Sequence, residues 1–509
     1  MRAATQPAPG IVGEAHRLIA LAGQSFADRP RPRALLAECA RRLDQPLRVA
    51  LAGSIKAGKS TLLNSLVGQD IAPTDATECT RLVTWYRHGS LPGVTAVAPD
   101  GATADVAVRR GSGGLTFDIA TPAWNRSGPH EVDHLEVRWP AATLARTTLI
   151  DTPGTSSLSR EVSRRTARLL TPAAEDDGDQ VHVPGADAIV YLLRRLDTSD
   201  LDFLERVGAG SGSAAGPLGV IGVVSRADEL GAGGLDALHS ARDVAARFAG
   251  ELERTGLCQA VIPVAGLLAF AAATLREQEF IAFQALAAVP AEELGTALLS
   301  ADRFVRPDLA LPVDPRVRAG LATRFGLFGI RMAVTLIRLG VRDSATLAAE
   351  LADRSGIEEL RAVLDVQFAQ RADQLKAHSA LTALAGVLTA CPGTAADALL
   401  PRVRTLLADV HGFAELRLLS RLRAGELPLP PDDLAELHGL LGGAGVAPHL
   451  RLGLPATAPA AVVRGRAAEL VRKWRDRASH PLADGRTRAA CLTAARSAEG
   501  ILPMLRPER

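Results

Sequence analysis

Leu47 to Gly68, LRVALAGSIKAGKSTLLNSLVG, is the stretch on which the fold turns. Its first residues alternate apolar positions, Val49 and Leu51 among them, as a buried strand does. Gly53-Ser54-Ile55-Lys56-Ala57-Gly58-Lys59-Ser60 then matches G-x4-G-K-[ST] in full, and Thr61 follows it. Leu62, Leu63, Leu66 and Val67 recur at helical spacing, with Gly68 as the C-terminal stop. Strand, loop and helix are the context that a phosphate cradle requires. Glycines at 53 and 58 let backbone N–H groups approach a polyphosphate without a clashing Cβ. The helix start aims its free N–H groups at the same anion. Lys59 would stand between the terminal phosphates, and the Ser60 hydroxyl would ligate Mg²⁺. The chain has four lysines (56, 59, 376 and 473) among 58 basic residues, and two of the four fall inside this loop. Arginine serves elsewhere; a compact ammonium is kept where a planar guanidinium does not fit.

With 509 residues the chain has room for two or three domains and ample core. An apolar share of 47% and a charged share of 22% fit an ordinary globular protein, and a net charge of +2 gives no field for nucleic acid. The five cysteines (39, 79, 258, 391 and 491) form neither a C-x-x-C pair nor an even framework, which points to a reducing cytoplasm without structural zinc. The first ten residues, MRAATQPAPG, lack a signal peptide's apolar core. Leu257 to Leu275 carries no charge over nearly a spanning length, but Pro263 and Gly266 divide it into a buried strand and an Ala/Leu helix.

Taken in order, residues 11–44 read as a helical arm, with Leu35, Cys39 and Leu43 on one face and Pro30 and Pro32 marking a break. The polar segment IAPTDATECT leads into a strand over Arg81 to Tyr86. A threonine just ahead of such a strand can reach Mg²⁺ only while a γ-phosphate is present; Thr80 is the choice, with Thr77 as the alternative. Residues 87–140 hold short alternating strands and turns. Thr147 to Gly154 then reads as a strand that delivers Asp151 to the metal side, followed by Gly154, whose N–H can sense the γ-phosphate. No glutamine lies between Asp151 and Val162, so another group must orient an attacking water. Ala186 to Leu193 and Leu218 to Val224 are further strands, and the second ends in Ser225-Arg226-Ala227-Asp228. A carboxylate at Asp228 can accept two hydrogen bonds from guanine N1–H and its exocyclic amine, which adenine does not offer. The stem of Arg226 could cover the base. Ala265 and Gly266 are the small residues of the last base-contacting loop, after the strand at Val261.

Beyond about residue 345 the signals are helical. Phe325 to Gly340 reads as a packed core helix. Ile357, Leu360, Leu364, Phe368, Ala372 and Leu375 mark one helix face, and Leu399, Val403, Leu406, Val410 and Phe413 a bundle seam. A later helix sets Val463, Ala467, Leu470, Val471 and Trp474 against Arg464, Arg466, Arg472, Lys473, Arg475 and Arg477. That cationic face suits either anionic lipid or plain solvent, with Glu469 and Asp476 interrupting it. The irregular, glycine-rich stretch from Leu440 to Leu454 is a membrane-touching loop or a buried connection.

GSIKAGKSTLLNSL, IAPTDATECTRLVTWYR, TTLIDTPGTSSLS, VVSRADELG and FGLFGIRMAV together resemble bacterial dynamin-like GTPases of the actinobacterial, isoniazid-inducible IniC type. Ser225 and Arg226 depart from the family's [NT]-K pair. The resemblance implies an α/β P-loop GTPase domain, a mixed mostly parallel sheet with helices on both faces, plus an all-α bundle. It divides the chain into an N-terminal arm (1–46) packing with the bundle, a GTPase domain (47–345) and the bundle itself (346–509). It implies GTP/GDP and Mg²⁺ as cofactors, and Lys56 at the position where relatives carry a charge-neutralising residue. The implied partners are membrane lipids, a second dynamin-like protein and the chain itself through its GTPase domains. The implied place is the inner face of the cytoplasmic membrane. Two functions follow: a mechanochemical GTPase that remodels membrane, or a weakly hydrolysing nucleotide-binding scaffold serving a dynamin partner. A ribosome-assembly GTPase would need the basic RNA-binding domain that the charge balance lacks.

Overall fold

The computed structural model describes residues 10–73, 82–111, 114–118, 132–154, 169–170, 185–209, 219–233, 237–254, 257–423 and 427–504. Helices α1 (Ile11–Ser25) and α2 (Pro30–Leu43) precede β1 (Leu47–Gly53) and α3 (Lys59–Val67). Short strands follow: β2 (Val83–His88), β3 (Gly93–Val97), β4 (Thr103–Asp105), β5 (Ala107–Gly111), β6 (Gly114–Asp118) and β7 (His134–Trp139). Next come α4 (Ala142–Arg146), β8 (Thr147–Asp151), β9 (Ala188–Leu193), α5 (Thr198–Ala209), β10 (Val220–Ser225), α6 (Ala237–Arg254) and β11 (Val261–Val264). Helices continue with α7 (Gly266–Ala273), α8 (Glu277–Ala287), α9 (Ala291–Ala297), α10 (Ala301–Phe304), α11 (Pro315–Arg338), α12 (Ser344–Asp353) and α13 (Ile357–Gln367). The last are α14 (Ala372–Ala390), α15 (Thr394–Asp409), α16 (His411–Arg423), α17 (Pro431–Leu440), α18 (Pro448–Arg451), α19 (Ala460–Ala478) and α20 (Gly485–Met504).

Nine strands form one sheet in the order β11-β10-β9-β1-β8-β2-β7-β3-β4, and β5 and β6 form a separate hairpin. From β11 to β8 every neighbour is parallel, which is why these strands are largely apolar and need helices on both faces. The antiparallel β2–β8 pair then turns the sheet toward the short strands. On one face Val49, Leu51, Leu149 and Val190 join a core that runs on through α1, α2 and the residues of α13–α15. On the other, Ala50, Ala52, Ile150 and Tyr191 pack with Phe203 and Leu204 of α5 and Leu252 of α6. The arm packs on α14 and α15. Leu36, Cys39 and Leu43 of α2 are buried, and Leu35 packs partly buried against the same core.

Three elements differ from their sequence pattern. The apolar face from Ile357 to Leu375 is not one helix, because the chain breaks at Phe368–Arg371. Arg371, 2% exposed, donates through Nη2 to the carbonyls of Leu441 (3.0 Å) and Gly442 (2.8 Å) and so fixes the break from the far side of the bundle. In Leu440–Leu454, which contains the single turn α18, Leu440, Leu441 and Leu452 are buried while Leu450 is 42% exposed. The seam through Val410 likewise divides there, between α15 and α16, with Val410 extended at ψ 118°. Finally α11 starts at Pro315, ten residues before the apolar run. Asp314 caps it, its Oδ1 accepting from Arg316 N at 2.8 Å, and Pro315 fits the first position. It is long and apolar enough to cross a membrane, yet Phe325, Phe328, Ile330, Ala333 and Val334 are all buried against the protein.

Four of the six cations on α19 are paired, and Arg464 and Arg472 form no ion pair with a described residue. Arg466 meets Glu436 at 2.9 Å, Lys473 meets Asp433 at 2.9 Å, and Arg475 and Arg477 meet Glu499 and Asp433.

Candidate functional site

Parallel strands side by side send their C-terminal loops to one sheet edge, where the site is built. The loop after β1 closes on itself: Lys59 Nζ donates to the carbonyls of Gly53 (3.1 Å) and Ser54 (3.0 Å), and Ala57 N donates to Ser54 O (3.2 Å). Gly53 sits at φ +142°, and a Cβ there would lie 2.4 Å from Leu192 O on β9, so no other residue fits. Gly58, at φ +91°, begins α3 with nothing within 4 Å of where its Cβ would stand. Its N–H end is open to an anion. Ile55 packs against Gly154, where a Cβ would lie 2.4 Å from Ile55 Cγ1 and 2.9 Å from its backbone nitrogen. This contact puts the loop after β8 directly on the loop after β1.

Ser60 Oγ donates to Asp151 Oδ2 at 2.6 Å, while Asp151 Oδ1 is buried and lacks a hydrogen-bond partner. Burial raises the Asp151 carboxyl above its ordinary range, with Lys59 and Ser60 opposing the shift. Burial lowers the Lys59 ammonium, and Asp151 opposes that. An orphaned carboxylate oxygen beside a hydroxyl is a hard oxygen donor set, and a divalent cation such as Mg²⁺ fits it. Thr80 and its alternative Thr77 lie outside the described residues.

The third loop follows β10. Ser225 Oγ donates to Leu193 O at 3.3 Å. Arg226 has φ +53° and Lys56 φ +60°; among the described residues these are the only non-glycine residues with positive φ. Strained backbone at two loops of one cleft is the kind that surrounding structure maintains for function. The Arg226 guanidinium is tied to Glu229 Oε1 at 2.6 Å. Asp228 is 9% exposed. Burial pushes its carboxyl up, a backbone hydrogen bond opposes, Glu229 adds to the rise and Arg226 counters it.

The fourth loop carries Ala265 and Gly266. A cleft of about 150 Å³ is lined by Ala57, Gly58 and Thr61 from the first loop, Ser225, Arg226 and Asp228 from the third, and Gly266 and Leu267 from the fourth. The structure thus gathers the residues of four separate motifs.

Several neighbours of the site carry no motif. Gly326, at φ +63° and ψ 176°, kinks α11, and its missing Cβ would lie 4.0 Å from Asp228 Oδ2. Ser65 Oγ donates to Gly266 O at 2.8 Å, while Arg361 Nη2 on α13 donates to Ser65 O at 2.7 Å. Ala265 N donates to Ser355 O at 2.8 Å, just before α13. Helix α13 is therefore bound both to the last loop and to α3. A glycine inside an apolar helix run was the available signal for Gly326; nothing local marks Ser65, Ser355 or Arg361.

A model of the dynamin family matches residues 49–224. The isoniazid-induced protein IniC of Mycobacterium tuberculosis is 52% identical over 462 residues, covering 91% of each chain. The isoniazid-induced protein IniA of the same organism is 36% identical over 138 residues, 26% of this chain and 20% of its own. A solved chain of an oligomerised bacterial dynamin pair aligns with 99% of this chain and 75% of its own length, at 11% identity and a TM-score of 0.33. By its likeness to IniC along nine-tenths of both sequences, this chain belongs to the dynamin family, within its IniC branch.

Proposed function

We propose that the chain binds and hydrolyses GTP with Mg²⁺ and couples the cycle, through its helices, to remodelling or maintenance of the cytoplasmic membrane. The observation that carries this reading is one cleft lined by three loops, with the Asp151–Gly154 loop joined to the first of them, and with a buried ammonium and an unpartnered carboxylate oxygen in the joined loops. Gly53 through Thr61 wrap the phosphates, and Lys59 donates to the terminal ones. Asp228 accepts from the guanine edge, with Ser225, Arg226, Ala265 and Gly266 around the base; the cleft volume suits a base-sized group. Ser60 and Asp151 hold the magnesium, joined by Thr80. When bound, the ion neutralises charge on the phosphate oxygens. Gly154 reports the γ-phosphate to the Ile55 segment it touches. Lys56, exposed and without a glutamine to help it, neutralises charge on the transferred group.

Helix α13 supports the coupling, since Ser355 and Arg361 tie it to the base loop and to the phosphate-loop helix. The arm (1–46) and the bundle (346–509) act as the output of the GTPase domain (47–345), pairing with a second copy or with another dynamin-like chain at the membrane. The Arg226–Glu229 ion pair favours a second reading, in which the chain alone hydrolyses slowly and serves as a regulatory subunit of such a partner.

Nucleotide selectivity tests the reading. Asp228→Asn replaces an acceptor with a partial donor, so GDP affinity should fall at least about tenfold, the scale of one lost charge-assisted hydrogen bond. Xanthosine diphosphate, whose C2 oxygen accepts, should bind the variant better than GDP. An unchanged preference for GDP would remove Asp228 from the base site. Lys56→Ala should leave GDP affinity intact and lower turnover by about 10²-fold, the lower scale of one transition-state donor. Unaltered turnover would exclude the role given to Lys56.

A further inference from the structure

In the helical region, α16 and α20 enclose a cleft of about 240 Å³ lined by Arg417, Arg421 and Arg486, with Leu418, Leu427 and Ala490 as its apolar wall. No acid is among the described lining residues. Other arginines of the bundle are held by acids: Arg451 by Glu415, Arg466 by Glu436, Arg475 by Glu499 and Arg477 by Asp433. None of the three arginines forms an ion pair with a described residue. The Arg421 and Arg486 side chains make no hydrogen bond to one either, while the Asp484 carboxylate accepts from the Thr487 and Arg486 backbone and is lowered by these bonds and by the Arg486 charge.

Arg417 is the half-buried member. Its Nη1 donates to Ala408 O at 3.3 Å and its Nη2 to Leu407 O, so the end of α15 holds the guanidinium in place. Its Nε is buried without a partner. Burial lowers its pKa, and the charge of Arg421 lowers it further. Like charges gathered in a partly desolvated cleft repel one another unless an anion joins them. Arginine forks match phosphate oxygens in pairs, and a phosphomonoester brings nearly two negative charges, which three guanidinium groups can balance. A carboxylate would leave two of the three uncompensated.

We propose that the cleft between α16 and α20 binds a phosphate group, carried by a lipid headgroup or by a free phosphomonoester, whose adjoining apolar portion rests on Leu418, Leu427 and Ala490. The site is independent of the nucleotide reading. Arg421 and Arg486 are exposed, so replacing both leaves the core untouched.

The test compares the full-length chain with Arg421→Ala/Arg486→Ala, both in excess GDP to occupy the phosphate loop. One arm titrates glycerol 1-phosphate calorimetrically. The other measures co-sedimentation with phosphatidylcholine vesicles with and without phosphatidate. The wild-type chain should bind in at least one arm and the variant at least about tenfold more weakly, with binding also falling as salt rises. Binding of the soluble ester assigns the site to free phosphomonoesters; binding of phosphatidate vesicles alone assigns it to a lipid headgroup. Equal behaviour of the two proteins, or no wild-type binding in either arm, overturns the proposal. An unchanged melting midpoint shows that the variant is folded.

Discussion

Lys59→Ala should weaken GDP and GTP binding by about 10²-fold or more. Lys59 is 9% exposed, and its ammonium is held by two loop carbonyls at 3.1 and 3.0 Å, so its position is set before any ligand arrives. Truncating one partner of a buried, hydrogen-bonded charge pair costs about 2–5 kcal/mol. At about 1.4 kcal/mol per factor of ten, that range spans roughly 30-fold to several thousand-fold. A second loss adds to it: Asp151 stands in the same buried pocket, and Lys59 is the cation opposing its desolvation. Lys59→Arg should not rescue binding, because a planar fork cannot enter a loop already closed around a single nitrogen. Displacement of a fluorescent guanine nucleotide measures both variants. A dissociation constant within threefold of wild type for Lys59→Ala would remove the ammonium from the site.

The second large effect is structural. Asp187 precedes β9, and its two oxygens join three elements. Oδ1 accepts from Arg42 Nη2 of α2 at 2.7 Å, and Oδ2 accepts from Arg48 N of β1 at 3.0 Å. Arg42 Nη2 also lies 3.5 Å from Ser379 Oγ on α14. The Arg42 and Asp187 side chains are 5% and 3% exposed. Asp187→Ala removes the carboxylate that faces a buried guanidinium, and breaking such a pair from one side costs about 3–5 kcal/mol. Urea unfolding should show that loss. Arg42→Met combined with Asp187→Leu should recover most of it, because apolar residues of similar volume replace a buried pair at little cost. A loss below about 1 kcal/mol for Asp187→Ala would mean that water reaches the pair, since exposed pairs contribute about that much. The joint bears on function because β1, which it anchors at one end, delivers the phosphate loop at the other.

What the sequence made legible was local. The phosphate loop, the Asp151 strand, the Asp228 segment and the Ala265–Gly266 loop each end a strand, and a parallel sheet places such ends together without further instruction. What it concealed depends on residues far apart in the chain. Arg371 breaks a helix by reaching carbonyls seventy positions away. Arg226 adopts a left-handed backbone that no propensity for arginine would suggest. The kink at Gly326 is visible only once α11 lies beside Asp228. Four of the cations of α19, Arg466, Lys473, Arg475 and Arg477, are occupied by acids from α17 and α20. Charge left unpaired is a property of the folded surface, so Arg417, Arg421 and Arg486 could not be singled out beforehand.

One measurement bears most directly on the central claim: calorimetric titration of GTP and of GDP into the purified chain with Mg²⁺ present, beside ATP as the comparison. One guanine nucleotide per chain should bind, more tightly than ATP and more weakly when Mg²⁺ is chelated. Absence of binding by both GTP and GDP would contradict it.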